Sequence, residues 1–341
     1  MRLNISDSET RRIEALKREY LGGLKSPKII MNYPGTPLPT KELITSPKIM
    51  LDRQLKGIQA HLEIGDDVIP QVGIAFGTGQ IAHAFGCEMR VPTDSPVCAT
   101  GNLQRGPREI AAMDMPDLDA GWFAKAYEYT EYFLENKPSW VEMEVLDLQS
   151  ALNNAYLVRG DDLLYDFYDD PEGVELLLEK MTDYQIAQTK RYREFIGAET
   201  GVLYDWSVAW KGGGRVADCA VHMISTDFYD DFIKKHDARI IRELDGGRIH
   251  YCGAYHDGLV ASLGDIPGMT GFDLDGKYHD PWQISREIPD DIPLLVYITQ
   301  EQTDRLLSGD IPEKRNLILQ VWTSCQEEAK ELYPKLKSLL H

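Results

Sequence analysis

No run of about 18 consecutive apolar residues occurs anywhere in this chain, so the sequence offers no membrane span. Cysteine is scarce. The five residues (Cys87, Cys98, Cys219, Cys252, Cys325) are odd in number and far apart, unlike a disulfide framework. Free or metal-bound thiols in a reducing, cytoplasmic setting are the expectation. Positive charge is short as well: 36 basic residues face 55 acidic ones, a net charge of −19, which argues against a nucleic-acid surface. Met1 to Tyr20 is charged and amphipathic and lacks the apolar core of a signal peptide. The common catalytic signatures are missing too. Gly212-Gly213-Gly214 has no Lys-Ser/Thr after it, and Phe76-Gly77-Thr78-Gly79 has no third glycine, so both are loop punctuation. There is no Gly-x-Ser-x-Gly elbow and no His-Glu-x-x-His helix. Internal repeats, low-complexity tracts and a clear interdomain linker are also absent.

What is present is the composition of an ordinary globular protein, 43% hydrophobic and 27% charged, enough for a large core. Residues 1–50 read as a helical extension with a proline-rich turn, Tyr33-Pro34-Gly35-Thr36-Pro37-Leu38-Pro39. Beyond it short apolar runs alternate with longer helical patterns. Strands are expected at Val68–Ala75, Val141–Leu146, Val202–Trp206, Arg215–Met223, Arg248–Cys252, Met269–Leu274, Leu294–Ile298 and Leu317–Thr323, with another near Met89–Val91. Asp170-Pro171-Glu172 opens a helix with an N-cap, a first-turn proline and an acid, and Gly197 is its stop. Ser225-Thr226-Asp227 opens another, and a last helix spans 326–340. Eight or nine such units argue for a parallel sheet closed on itself: an α/β chain with a (β/α)8 TIM barrel over residues 51–341.

A parallel barrel puts its chemistry at the carboxyl ends of its strands. Polar residues recur there: Asp147 and Gln149, Asp205 and Trp206, Asp218, Cys219 and His222, His250 and Cys252, Asp273 and Asp275. Any one of these alone reads as a cap or loop residue; several strands ending this way make a rim. His250 and Cys252 are two apart on one strand, so both side chains share a face. Imidazole and thiolate are good zinc ligands. Cys325, after a further strand and just before the final helix, supplies a third donor and gives a Cys₂His set with one open position, the ligand count of a catalytic zinc. Cys219 and His222 form a rival pair; read on one strand, three apart, they face opposite sides. Trp206 and Trp210 read either as pocket lining or as core.

Several segments resemble the uroporphyrinogen decarboxylase superfamily. They are Asp147-Leu148-Gln149-Ser150 with the helix that follows, Asp170-Pro171-Glu172-Gly173-Val174-Glu175-Leu176-Leu177-Leu178, Ser225-Thr226-Asp227-Phe228-Tyr229-Asp230-Asp231-Phe232, and His250-Tyr251-Cys252-Gly253. The likeness covers roughly residues 50–335 and implies a (β/α)8 barrel. The decarboxylases carry an N-terminal Arg-Gln-Ala-Gly-Arg run for their substrate's carboxylates, and this chain has Asn32-Tyr33-Pro34-Gly35-Thr36 in that region. The closer resemblance is to the corrinoid-dependent methyltransferases, which hold zinc through a His-x-Cys pair and a distant cysteine. That resemblance implies a zinc enzyme moving a methyl group between a small substrate (a thiol, methyl ether or amine) and a corrinoid carried by a partner protein. His250, Cys252 and Cys325 would hold the zinc, and Asp147, Gln149, Asp205 and Asp218 would orient substrate or the ligands. A porphyrinogen decarboxylase and a non-catalytic tetrapyrrole- or corrinoid-binding module are the alternatives.

Overall fold

The structure is a computed structural model that describes residues 3, 5–35, 40–93, 95–256, 258–314 and 316–340. Thr36 to Pro39 of the proline-rich turn lie outside them. Six parallel strands form one curved sheet: β1 (Lys28–Asn32), β4 (Gly214–Ala217), β5 (Gly247–Tyr251), β6 (Met269–Asp275), β7 (Leu294–Ile298) and β8 (Leu317–Trp322), in the order β1-β8-β7-β6-β5-β4. Two shorter parallel strands, β2 (Gln71–Val72) and β3 (Glu142–Met143), complete the ring. The helices that return the chain include α2 (Pro47–Ile64), α3 (Ala151–Arg159), α4 (Pro171–Phe195), α5 (Lys234–Glu243) and α6 (Gln326–Leu340), after an N-terminal α1 (Asp7–Gly22). This is the barrel expected from the alternating pattern. Among the described residues no helix is long and apolar enough to cross a membrane.

Side chains stitch the two arcs of sheet together. Between β1 and β2, the buried carboxylates of Asp66 and Asp67 accept from the backbone N–H groups of Met31 and Ile29, each at 2.9 Å, and Asp67 N–H donates to Ile29 O at 3.0 Å. Between β3 and β4, the buried Gln185 amide donates to Gln149 O at 2.8 Å and to Arg215 O at 3.2 Å. Paired backbone groups are the rule in a buried sheet, and here carboxylate and amide oxygens and nitrogens replace the missing ladder.

Three sequence expectations change. Lys28–Asn32 falls in the stretch read as a helical extension but is a barrel strand, so the barrel begins before residue 51. It is buried on both faces and therefore shows no polar-apolar alternation to mark it. Val202–Asp205 is a strand, yet it pairs antiparallel with Val208–Lys211 instead of joining the ring. The hairpin turn, Trp206-Ser207, holds both residues at positive φ (56° and 65°) and lacks the Asn-Gly signal such turns usually carry. The strand expected over 215–223 stops at Ala217, and Cys219–Met223 forms a 3₁₀ turn. The Met89–Val91 run is realised as Glu88–Arg90 in a small antiparallel pair with Cys98–Thr100.

The hairpin lies inside the ring. Leu203, Val208, Ala209 and Trp210 cluster with the inward-facing Ile30, Leu295 and Ile318 and with Leu16 and Tyr20 of α1. The remaining apolar residues fill a separate outer core between strands and helices. Trp210 rests on Gly271 of β6, where a Cβ would come within 2.2 Å of the indole ring. Gly271→Ala is therefore expected to lower stability by about 1–3 kcal/mol through overpacking. Urea unfolding measures it; an unchanged midpoint would show that the plug does not press on β6.

Candidate metal centre

Above the plug the lumen is lined with charge. Arg248 of β5 is fully buried and pairs with Asp205 at the hairpin tip and with Asp273 of β6. Arg215 of β4, also buried, donates from Nε to Asp205 at 3.0 Å and pairs with Asp147. These positions follow from strand parity: Arg248, His250 and Cys252 alternate with the outward Ile249 and Tyr251. Two arginines and three carboxylates so close together offset much of each other's desolvation cost. Although burial opposes it, the Arg215 guanidinium holds Asp147 below the usual carboxylate range. Burial, reinforced by the Asp205 charge, pushes Glu144 up to about 8.

The next layer up carries the donors. Cys219 Sγ, a ring nitrogen of His250 and Cys252 Sγ lie within 4.8 Å of one another. Asp273, itself gripped by Arg248, hydrogen-bonds His250 Nδ1, which leaves Nε2 as the free donor. Cys219 reaches the group because the chain leaves β4 by continuing the ladder. Asp218 N–H donates to His250 O at 2.9 Å, and Ala220 N–H donates to the Asn153 side-chain carbonyl at 2.8 Å. Asn153 donates in turn to Gln149 Oε1 at 2.7 Å, and Gln149 to Asp147 at 2.6 Å, which ties the Cys219 turn to the charged layer. The hydrogen bond between the two thiols raises the Cys219 pKa and lowers that of Cys252.

The donor group differs from the set read in the sequence at one position, with Cys219 in the place given to Cys325. Cys325 is exposed at the start of α6, after a strand three places from β5 in the sheet. His222 points out to solvent and donates through Nδ1 to its own turn's Cys219 O, 2.6 Å away. Cys219, the rival donor in the sequence, stood behind Cys325 only on the assumption of a continuous strand to Met223; the 3₁₀ turn removes that parity argument. All five cysteines are free thiols.

Asp147, Gln149 and Asp205 line the lumen but are committed to the network just described. Asp218 faces away from it: it accepts from Ser150 Oγ at 2.6 Å and sits in a carboxyl pair with Asp237 of α5. Burial pushes Asp218 up to about 6 and Asp237 well above the carboxylate range, so the two share a proton. The sequence reading left out Asn153, Asp273's grip on His250, and Tyr297. Trp206, on its strained turn, lays its ring beside His250 (centroids 5.3 Å apart) and against Tyr297 (4.9 Å). Trp210 is core.

The donors suit zinc. Two sulfurs and one nitrogen are a borderline-soft set, the histidine is oriented by a carboxylate, and three protein ligands leave one position for a substrate.

No protein-family model matches the chain, and no curated protein matches it in sequence. Solved structures do match. A methyltransferase from Methanosarcina mazei superposes with a TM-score of 0.71 at 16% identity, covering 96% of this chain and 97% of that one. A candidate vitamin B12-independent methionine synthase from Listeria monocytogenes gives a TM-score of 0.46 at 10% identity over 86% and 88% of the two chains. The likeness is one of fold. At 16% identity the methyltransferase shows that this architecture, nearly end to end, is shared.

Two outcomes follow from the site. Asp273→Asn is expected to weaken zinc binding by about 10- to 100-fold while circular dichroism stays native, because the histidine loses its anionic partner; unchanged affinity would contradict the role given to Asp273. Glu144 concerns pH. The unfolded side chain loses its proton near 4.5, the folded one near 8. The unfolded chain thus binds fewer protons in that window, and stability falls as pH rises through it. Glu144→Gln should remove that slope and gain on the native chain from about pH 5 to 8, as read by urea unfolding. A pH-independent difference would count against a buried, protonated Glu144.

Proposed function

We propose that this chain is a zinc-dependent methyltransferase of the uroporphyrinogen decarboxylase superfamily, in its corrinoid-dependent branch. It moves a methyl group between a small substrate and a corrinoid carried by a partner protein. The observation that carries the reading is the Cys219–His250–Cys252 group at the carboxyl end of a barrel. The fold shared with a methyltransferase and the His-x-Cys-Gly resemblance support it.

Zinc held by these three residues would bind a thiol substrate as thiolate, or polarise the leaving heteroatom of a methyl ether or amine. The chain's own residues do the rest. Asp273 fixes the His250 ring through Nδ1, so that Nε2 would be the nitrogen to hold the metal. Asn153 and the Asp218 backbone hold Cys219 at the distance the pair on β5 requires. Asp147, Gln149 and Asp205 are positioning residues in this scheme, acting through Arg215, Arg248 and Asn153. Trp206 and Tyr297 form an apolar wall next to the imidazole, which limits water beside the reacting atoms.

The decarboxylase alternative meets an electrostatic obstacle. The lumen's arginines, Arg215 and Arg248, are already engaged by Asp147, Asp205 and Asp273, and are not offered to a polycarboxylate.

Roughly one zinc per chain should copurify. Cys219→Ser and Cys252→Ser should each lose most of it, a hydroxyl being a poorer ligand than a thiolate, and Cys325→Ser should keep the native content. With zinc present, a methylated corrinoid protein plus a thiol, or a reduced one plus a methyl ether or amine, should show the change in the corrinoid spectrum that accompanies methyl transfer. Zinc held by the Cys219→Ser protein but lost from Cys325→Ser would refute the ligand set. Efficient porphyrinogen decarboxylation would refute the assignment of activity.

A further inference from the structure

The first strand ends beside a second concave site that the metal reading does not use. Asn32 and Gly35 form one wall, Arg53, Lys56 and His61 of α2 the other, and Gln326 at the start of α6 closes one end, around a volume of about 350 Å³. Among the described residues no carboxylate lines it. Arg53 and Lys56 make no ion pair among the described residues. Nearby lysines are neutralised: Lys48 by Asp52, Lys330 by Glu63 and Lys337 by Asp67. In a chain of net charge −19, two free cations converging on one groove create a local field of the opposite sign. His61 is already engaged, its Nδ1 hydrogen-bonded to the Asp66 carboxylate at 2.9 Å.

The backbone is shaped around the guanidinium. A Cβ on Gly35 would fall 2.7 Å from Arg53 Nη2 and 3.2 Å from Cζ, so the glycine lets the guanidinium lie against the loop. The groove also communicates with the barrel mouth. Asn32 lines it, yet its side chain donates to Gln320 Oε1 at 2.8 Å on the lumen-facing row of β8. In register with Asn32, and on that same row, Trp322 is left 53% exposed.

We propose that this groove binds the oxyanion end, a carboxylate or phosphate, of an elongated ligand whose body crosses Asn32 and Trp322 into the lumen. The guanidinium of Arg53 offers paired N–H donors to the oxyanion, and Lys56 supplies a second charge from the same helix face. The proposal needs only the groove, so it stands or falls separately from the metal assignment.

The test is calorimetric titration of the full chain with inorganic pyrophosphate and, separately, with glutarate, at low ionic strength. One of the two should saturate a single site with a Kd of about 1 mM or tighter, and which one does so identifies the oxyanion. Arg53→Gln and Lys56→Gln should each weaken it about tenfold, and added salt should weaken it further. Gly35→Ala should weaken it several-fold, because the new methyl displaces the tip of a flexible side chain; the thermal melt and zinc content should not move. Failure of both probes to saturate by about 20 mM would overturn the proposal, as would binding that is equal in the native chain and all three variants.

Discussion

The rest of the site depends on a layer of charge whose two arginines have almost no contact with water. Arg248 and Arg215 are buried in the lumen, shared among Asp205, Asp273 and Asp147. Either arginine alone would be intolerable there, and removal of one partner leaves an uncompensated buried charge, a loss of about 3–5 kcal/mol. The layer has to be complete, and its completeness fixes what lies above. Asp273 has one oxygen for Arg248 and one for His250; Asp147 Oδ1 accepts from both Arg215 and Gln149. His250 and the turn that carries Cys219, donors of the proposed metal centre, inherit their positions from these pairings.

Beneath that layer the antiparallel hairpin closes the barrel floor and delivers two groups upward from its tip, Asp205 to the arginines and Trp206 to His250. Two residues at positive φ with full side chains cost on the order of 1 kcal/mol or more each, strain the surrounding packing must hold. The seams follow the same logic. Asp66, Asp67 and Gln185 supply hydrogen bonds where β2 and β3 are too short to pair fully, so the ring stays closed without long strands on that side.

Much of the architecture was legible because it rests on local signals. Seven of the eight ring strands fall within or across apolar runs visible in the sequence, and the Asp170 cap accepts from Gly173 N–H at 3.1 Å as its pattern implies. His250 and Cys252 share a face because strand parity is a property of the backbone. What was not legible depends on tertiary position. β1 has no alternation, the hairpin has no turn signature, and Cys219 moved ahead of Cys325 as a donor only where the ladder ran on past Ala217 into a tight turn. Cys325 has the right residue type and the right place in the order of the chain, but nothing in spacing alone says which strand ends meet across a barrel. Arg53 and Lys56 were not legible for the same reason, since whether they find an ion-pair partner among the described residues is a fact of packing.

The central claim is that Cys219, not Cys325, completes the metal set. X-ray absorption at the zinc edge, on the zinc-loaded native chain and on Cys219→Ser, tests it most directly. The account predicts two sulfurs at about 2.3 Å and an imidazole in the native protein, with one sulfur lost in any zinc that Cys219→Ser retains. An unchanged sulfur count in that variant would contradict it.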